Sequence, residues 1–270
     1  MKVEIIHLED YLTDLQSQGK YSFTLPQVAE HYSKSEKALH QALFRLQRQN
    51  KIASVRRGFY VIVPPEYASW KILPPLRFID DLMKFLDKPY YVGLLSSASL
   101  QGVSHQQPQV FQVITCKPAL RTIVKKGLKI EFFIKSKIPK TGIEKKKTEA
   151  GYVNVAGAEL TALDIILYYK QVGGFSRALT LLEELAEVMT PEKLLVQVKE
   201  VSNLAAIQRL GYLLDTKLGL GVLAAPLHEL LQMKKYKLTP LKPEASIKEF
   251  LIDKKWKVIE NISVQSDFEE

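Results

Sequence analysis

Apolar residues recur every three or four positions through the first fifty residues of the chain, and this spacing predicts three short helices. Ile5, Leu8, Leu12 and Leu15 make a first stripe that ends at Gly19. Thr24 and Gln27 have the spacing of a capping box, with Pro26 in the first turn that it opens. Val28, Ala29 and Tyr32 give this second helix its apolar side. Ser33 and Glu36 repeat the capping-box spacing, and Leu39, Ala42, Leu43 and Leu46 follow as a buried stripe. The opposite face carries Lys34, Lys37, Gln41, Arg45 and Arg48. Asn50 and Lys51 close the helix. The period then shortens, and Ile52–Val55 and Phe59–Val63 read as two strands turning at Arg56-Arg57-Gly58.

Paired prolines at Pro64-Pro65 and Pro74-Pro75 stop regular structure and mark a boundary, with Tyr67 and Trp70 packing it into a fixed connector. The expected division is residues 1–63, a connector at 64–75, and a second domain at 76–270. Beyond the boundary, Leu76–Leu86 and Gly93–Leu100 read as helices. The runs FQVIT, LRTIV, IEFFI and YVNV between Val110 and Val155 read as a small, mainly antiparallel sheet. Helical spacing returns at Ala158–Lys170, Phe175–Val188, Pro191–Val201, Leu204–Leu218 and Leu223–Met233. Thr190 caps Pro191, and Ile207, Leu210, Leu214 and Leu218 form a buried stripe. Trp256–Val264 has strand character and is expected to join the sheet, before the acidic end Asp267–Glu270. The predicted fold class is α+β, an N-terminal winged helix-turn-helix followed by a larger domain of sheet and helical bundle.

Charge sharpens this picture. From Ser33 to Val63, seven basic residues stand against the single acid Glu36, a balance of +6 in a chain of net charge +9. A helix with one cationic face followed by an arginine-tipped hairpin fits a head that reads duplex DNA. The candidate contacts are Lys34, Ser35, Lys37, Gln41, Arg45, Arg48, Lys51, Arg56 and Arg57. Gln41 is suited to adenine and Arg45 to guanine, while Lys34, Lys51, Arg56 and Arg57 are suited to phosphates. A second concentration runs from Lys117 to Lys147, eleven basic residues against Glu131 and Glu144. It reads either as lysine protection of strand edges or as a second anion-facing or partner surface, carried by Lys125, Lys126, Lys129, Lys145, Lys146 and Lys147.

Little in the sequence suggests catalysis, a metal or a cofactor. The histidines His7, His31, His40, His105 and His228 are scattered, and one cysteine, Cys116, cannot complete a zinc set. Gly219-Leu220-Gly221 lacks the third glycine of a nucleotide loop and reads as a helix stop and restart. Ser96, Ser97 and Ser99 have no nucleophile elbow around them. No run of eighteen apolar residues suggests a membrane span, and the first twenty residues lack a signal-peptide core. A cytoplasmic protein is expected.

The stretches RRGFYVIVPPEY (Arg56–Tyr67), YYVGLLSSASLQG (Tyr90–Gly102), AELTALDII (Ala158–Ile166) and RLGYLLD (Arg209–Asp215) resemble the AbiEi antitoxins of type IV, abortive-infection toxin–antitoxin systems. The resemblance implies a first domain that binds inverted repeats in the promoter of its own operon and represses it. It implies a second domain that counteracts a nucleotidyltransferase toxin, directly or functionally. By position, Lys34, Lys37, Arg45, Arg48, Arg56 and Arg57 would meet the DNA; no catalytic set is carried over. No heptad seam is present, so a monomer that binds half-sites cooperatively is expected. Two other readings stay open: a protein-interaction scaffold anchored by Phe44, and a ligand-sensing regulator without a toxin partner.

Overall fold

In the computed structural model, which describes residues 7–103, 108–247 and 250–266, side-chain caps mark where the second and third helices begin. Ile5, His105 and the acidic end Asp267–Glu270 lie outside the described residues. Helix α1 (Leu8–Ser17) buries Leu8, Leu12 and Leu15, and Gly19 turns the chain at φ +72°. Strand β1 (Ser22–Thr24) leads into α2 (Leu25–Ala29). There the Gln27 amide donates to Thr24 Oγ1 at 3.4 Å while the Thr24 amide donates to Gln27 Oε1 at 2.8 Å. Helix α3 (Glu36–Arg48) is capped by Ser35, whose Oγ accepts from the Ala38 amide at 3.3 Å. The capping box expected of Ser33 and Glu36 does not form. The turn after α2 runs two residues further, so Glu36 becomes the first helical residue and faces His40 at 3.6 Å.

Strands β2 (Ile52–Arg56) and β3 (Phe59–Ile62) form the hairpin, and β1 joins its far side in an antiparallel sheet ordered β1-β3-β2. The turn is Arg57-Gly58, with Gly58 at φ +80°, and Arg56 ends the strand before it. Leu12, Leu15, Phe23, Val28, Leu39, Leu43, Leu46 and Ile62 are among the residues that close one core beneath these elements. Each such side chain contributes about 1.5–3 kcal/mol by leaving water.

Contacts divide the chain into two units, residues 1–91, 109–138 and 145–154 in the first, and 92–108, 139–144 and 155–270 in the second. The paired prolines therefore lie within the first unit. Their segment is packed: Ile72 and Leu73 are buried. Arg77 lies over the Tyr21 ring at 4.9 Å and the Tyr67 ring at 5.0 Å, and pairs with Glu149. Trp70 stays 63% exposed, with its ring 5.8 Å from Tyr67. Helix α4 (Ile79–Phe85) sets Phe85 5.5 Å from Phe59 and hydrogen-bonds Ser22 through Asp81 at 2.7 Å.

The first unit also holds most residues of six strands, β4 (Tyr90–Val92), β5 (Phe111–Thr115), β6 (Ile123–Lys125), β7 (Leu128–Ile134), β8 (Ile143–Thr148) and β9 (Gly151–Ala156). Their order is β6-β7-β5-β4-β9-β8. The sheet is mixed: β5 runs parallel to β7 and β4 parallel to β9, where antiparallel neighbours were expected, while β6 and β7 form an antiparallel hairpin. Alternation along a strand reports which face is buried but carries no information on neighbour direction, so the pattern could not reveal it. Strand β8, IEKKKT, escaped the sequence reading because charge occupies four of its six positions.

The second unit is built around α6 (Ala158–Leu167), buried from Ala158 through Ile166. Helices α5 (Leu94–Leu100), α7 (Phe175–Ala186), α8 (Pro191–Lys199) and α9 (Leu204–Tyr212) all contact it. A helix wrapped on every side needs its polar groups matched. Glu159 accepts from the Thr190 amide at 3.0 Å, and Thr161 Oγ1 lies 2.9 Å from Ser97 Oγ. A π-helical turn over Leu213–Lys217 and Gly219 at φ +68° separate α9 from α10 (Gly221–Gln232). The late strand does not join the large sheet. Strand β12 (Val258–Ile259) lies between β10 (Thr239–Pro240), parallel, and β11 (Ile252–Asp253), antiparallel, so both its edges are filled. Trp256, fully buried, anchors this small sheet: its Nε1 donates to Asp215 at 2.8 Å, and its ring covers Gly211. Arg209-Leu-Gly-Tyr-Leu-Leu-Asp215 is thus a seat for Trp256. A Cβ at Gly211 would overlap the indole, so Gly211→Ala is expected to lose about 3 kcal/mol. Thermal or urea unfolding checks this; an unchanged midpoint would remove the seat.

Candidate nucleic-acid interface

Leu39, Leu43 and Leu46 are at most 1% exposed, and this fixes where the rest of α3 points. Lys34, Ser35, Lys37, Gln41, Arg45 and Arg48 are all exposed, as are Lys51 and Arg57, with Arg56 half-buried. Phe44 stands among them at 62% exposure. Lys34, Lys37 and Arg48 form no ion pair with a described residue. A helix of 13 residues is about 20 Å long.

An acid from another helix enters this face. Lys51 Nζ lies 2.7 Å from the Glu9 carboxylate of α1. That hydrogen bond, and the positive charges of Lys51 and Arg45, hold Glu9 below its ordinary range against the cost of burial. Glu9 and Asp10 share with Lys34, Gln41 and Arg45 the lining of a groove of about 660 Å³ between the start of α1 and the first half of α3. The sequence reading, confined to Ser33–Val63, missed Glu9. The hydrophobic period that lays α1 across the core was the only signal that could have found it.

The β2–β3 turn is short and anchored. The Gly58 carbonyl accepts from the Leu25 amide at 2.8 Å, and a Cβ on Gly58 would sit 3.6 Å from Phe85. Arg56 and Arg57 therefore present their charge from a fixed corner, with no long projecting loop.

The lysine run does not form one surface. Lys125 ends β6, Lys126 occupies the β6–β7 turn, and Lys129 on β7 pairs with Glu131 at 2.6 Å. Lys145, Lys146 and Lys147 lie on β8, at the opposite edge of the sheet. Five strand spacings, about 24 Å, separate the two edges. Chain order keeps these lysines together and sheet order parts them. Charged side chains at both edges oppose pairing with another sheet. The β6–β7 turn reaches α3, where Lys126 Nζ donates to Asn50 Oδ1 at 3.0 Å.

Elsewhere, a cavity of about 330 Å³ in the second unit is lined by Tyr168, Tyr169, Arg209 and Glu244 among others. Its charges are matched internally. Glu244 pairs with Lys170 and accepts from Tyr169 Oη at 2.6 Å, which together hold it at about 2, and Arg209 Nε donates to the Pro240 carbonyl at 3.0 Å. Among the described residues no group of three or more His, Cys, Asp or Glu is placed to hold a metal ion, and no helix is long and apolar enough to cross a membrane.

A family model described as the AbiEi antitoxin C-terminal domain matches residues 91–216. No curated protein matches the chain. The crystal structure of the RV2827C protein from Mycobacterium tuberculosis is similar over 96% of this chain and 93% of that one, with a TM-score of 0.65 and 15% identity. At that identity the likeness shows a shared fold alone. The solution structure of the antibiotic-resistance factor ANT(2'')-Ia aligns with 44% of this chain and 84% of its own at 10% identity, and its TM-score of 0.31 supports no argument.

Glu9 competes with any anion for Lys51 and Arg45. Glu9→Gln is expected to tighten binding to duplex DNA several-fold and to steepen its salt dependence by about one. Fluorescence anisotropy across a salt series checks this, and unchanged binding by the variant would place Glu9 outside the interface.

Proposed function

We propose that this chain, whose residues 91–216 match the AbiEi antitoxin C-terminal domain, is an antitoxin that also represses its own operon, gripping promoter repeats through an N-terminal winged helix. The observation that carries the DNA-binding half is the exposed cationic face of α3 with Lys34 just before it; Lys34, Lys37 and Arg48 have no protein counter-ion among the described residues. Three helices and a three-stranded sheet ordered β1-β3-β2 support the winged-helix reading. In it, α3 enters the major groove, with Gln41 on adenine and Arg45 on guanine. Lys34, Lys37, Arg48, Arg56 and Arg57 hold phosphates and set the register. With five or six phosphates neutralised, log affinity falls with log salt at a slope of about −5.

The partner of the antitoxin activity is, in this proposal, a nucleotidyltransferase toxin, opposed directly or through its product. The protein is a monomer in solution and two copies bind an inverted repeat cooperatively. A second reading draws on Phe44: an aromatic ring this exposed also suits a protein anchor, and the N-terminal unit would then be an interaction module.

One variant separates these activities. Arg45→Gln with Arg48→Gln in the full chain is expected to weaken binding, lower the salt slope by about one through the lost Arg48 phosphate contact, relax the preference for guanine at one position and derepress a promoter reporter. The same variant is expected to keep rescuing cells from the co-expressed toxin. Gln41→Ala is expected to relax sequence preference at one position with a smaller loss of affinity. Undiminished DNA binding by the arginine variant would exclude α3 as the reading element and favour the protein-anchor reading.

A further inference from the structure

Just past the C-terminal end of α3, lysines from three separate stretches converge. Asn50, at φ +56°, stops the helix and accepts from Lys126 Nζ at 3.0 Å. Lys126 occupies the two-residue β6–β7 turn at φ +47°, followed by Gly127 at φ +84°. Lys71 lies close enough for its charge to add to burial in lowering the Lys126 ammonium, and it too has left-handed backbone, at φ +56°. Lys51, Lys71, Lys125 and Lys126 are all exposed.

Packing does not explain this choice of residues. A two-residue turn with both positions left-handed favours Asn-Gly, and a lysine there is strained. Lys71 shares this left-handed backbone, as do Asn50, Asp87, Leu94 and Lys257, and its positive charge opposes that of Lys126. What the two sites share is an exposed positive charge beside α3. An anion laid across them would relieve the repulsion.

The geometry supplies the anion. A helix about 20 Å long exceeds a major groove about 12 Å wide, so the chain just past its end comes to the phosphate wall when Gln41 and Arg45 meet the bases. We propose that the β6–β7 turn, together with Lys71, is a second phosphate-gripping arm at the C-terminal end of α3, directed at the duplex DNA backbone. It complements the short β2–β3 turn, which is anchored against Phe85. This rests on the duplex-binding reading above.

The test uses the full chain, a duplex carrying the sequence upstream of its own gene, and anisotropy across a salt series. Lys71→Asn with Lys126→Asn removes two charges while keeping residues that accept left-handed backbone. The expected result is a salt slope shallower by about two, with the preference for this duplex over a scrambled one unchanged. Lys126→Arg is expected to retain the wild-type slope. The asparagine variant is expected to melt no lower than the wild type. An unchanged slope in a variant whose parent binds DNA would overturn the arm alone. A lower melting temperature would assign Lys126 a structural role and overturn the arm as well. Failure of the parent to bind any duplex would instead remove the reading on which the arm rests.

Discussion

Burial of Leu39, Leu43 and Leu46 orients everything proposed for the N-terminal unit. A helix cannot turn its leucines inward without presenting the opposite residues to solvent, so the core fixes the direction of Lys37, Gln41, Arg45 and Arg48. The core is closed by α1 on one side and the β1-β3-β2 sheet on the other, and Ser35 sets where the helix starts. A single face of exposed cations follows from apolar packing. Electrostatic repulsion within that face is tolerated because long side chains keep their charged ends in water.

Two of the stretches that carry the AbiEi resemblance have structural tasks in the second unit. Within AELTALDII, Glu159 and Thr161 are polar groups on a buried helix, each matched by a partner on a neighbouring element. RLGYLLD holds Trp256 through the bare face of Gly211 and the carboxylate of Asp215, which Lys255 also pairs at 2.6 Å. These are positions where one substitution leaves either an overlap or an unmatched buried group. A family signature made of such residues records how a body is held together and says little about what its surface meets.

The sheet places lysine in two separate settings. At β8 three lysines lie on an edge strand, where like charge opposes pairing with another sheet. At the β6–β7 turn they sit beside Asn50, close to the end of α3. Sequence distance between the two groups is under twenty residues, yet the sheet sets them at opposite edges.

Local patterns in the sequence were enough to locate most elements. Helical spacing located α1 through α3 and the helices from Ala158 onward, since burying one face imposes a period of 3.6 whatever the neighbours are. Thr24 with Gln27, and Thr190 before Pro191, marked helix starts because a cap acts within four residues. The sequence by itself also determined that α3 would carry a basic face. Long-range decisions belonged to the tertiary structure: parallel pairing of β5 with β7, separation of β12 into its own small sheet, and the splitting of the lysine run. Glu9 entering the basic face from α1, and Lys71 and Lys126 meeting beside Asn50, belong to the same class. None of these has a local cause. Each arises where chain segments distant in sequence are forced together by the burial of other residues, and no spacing along the chain records which segments those will be.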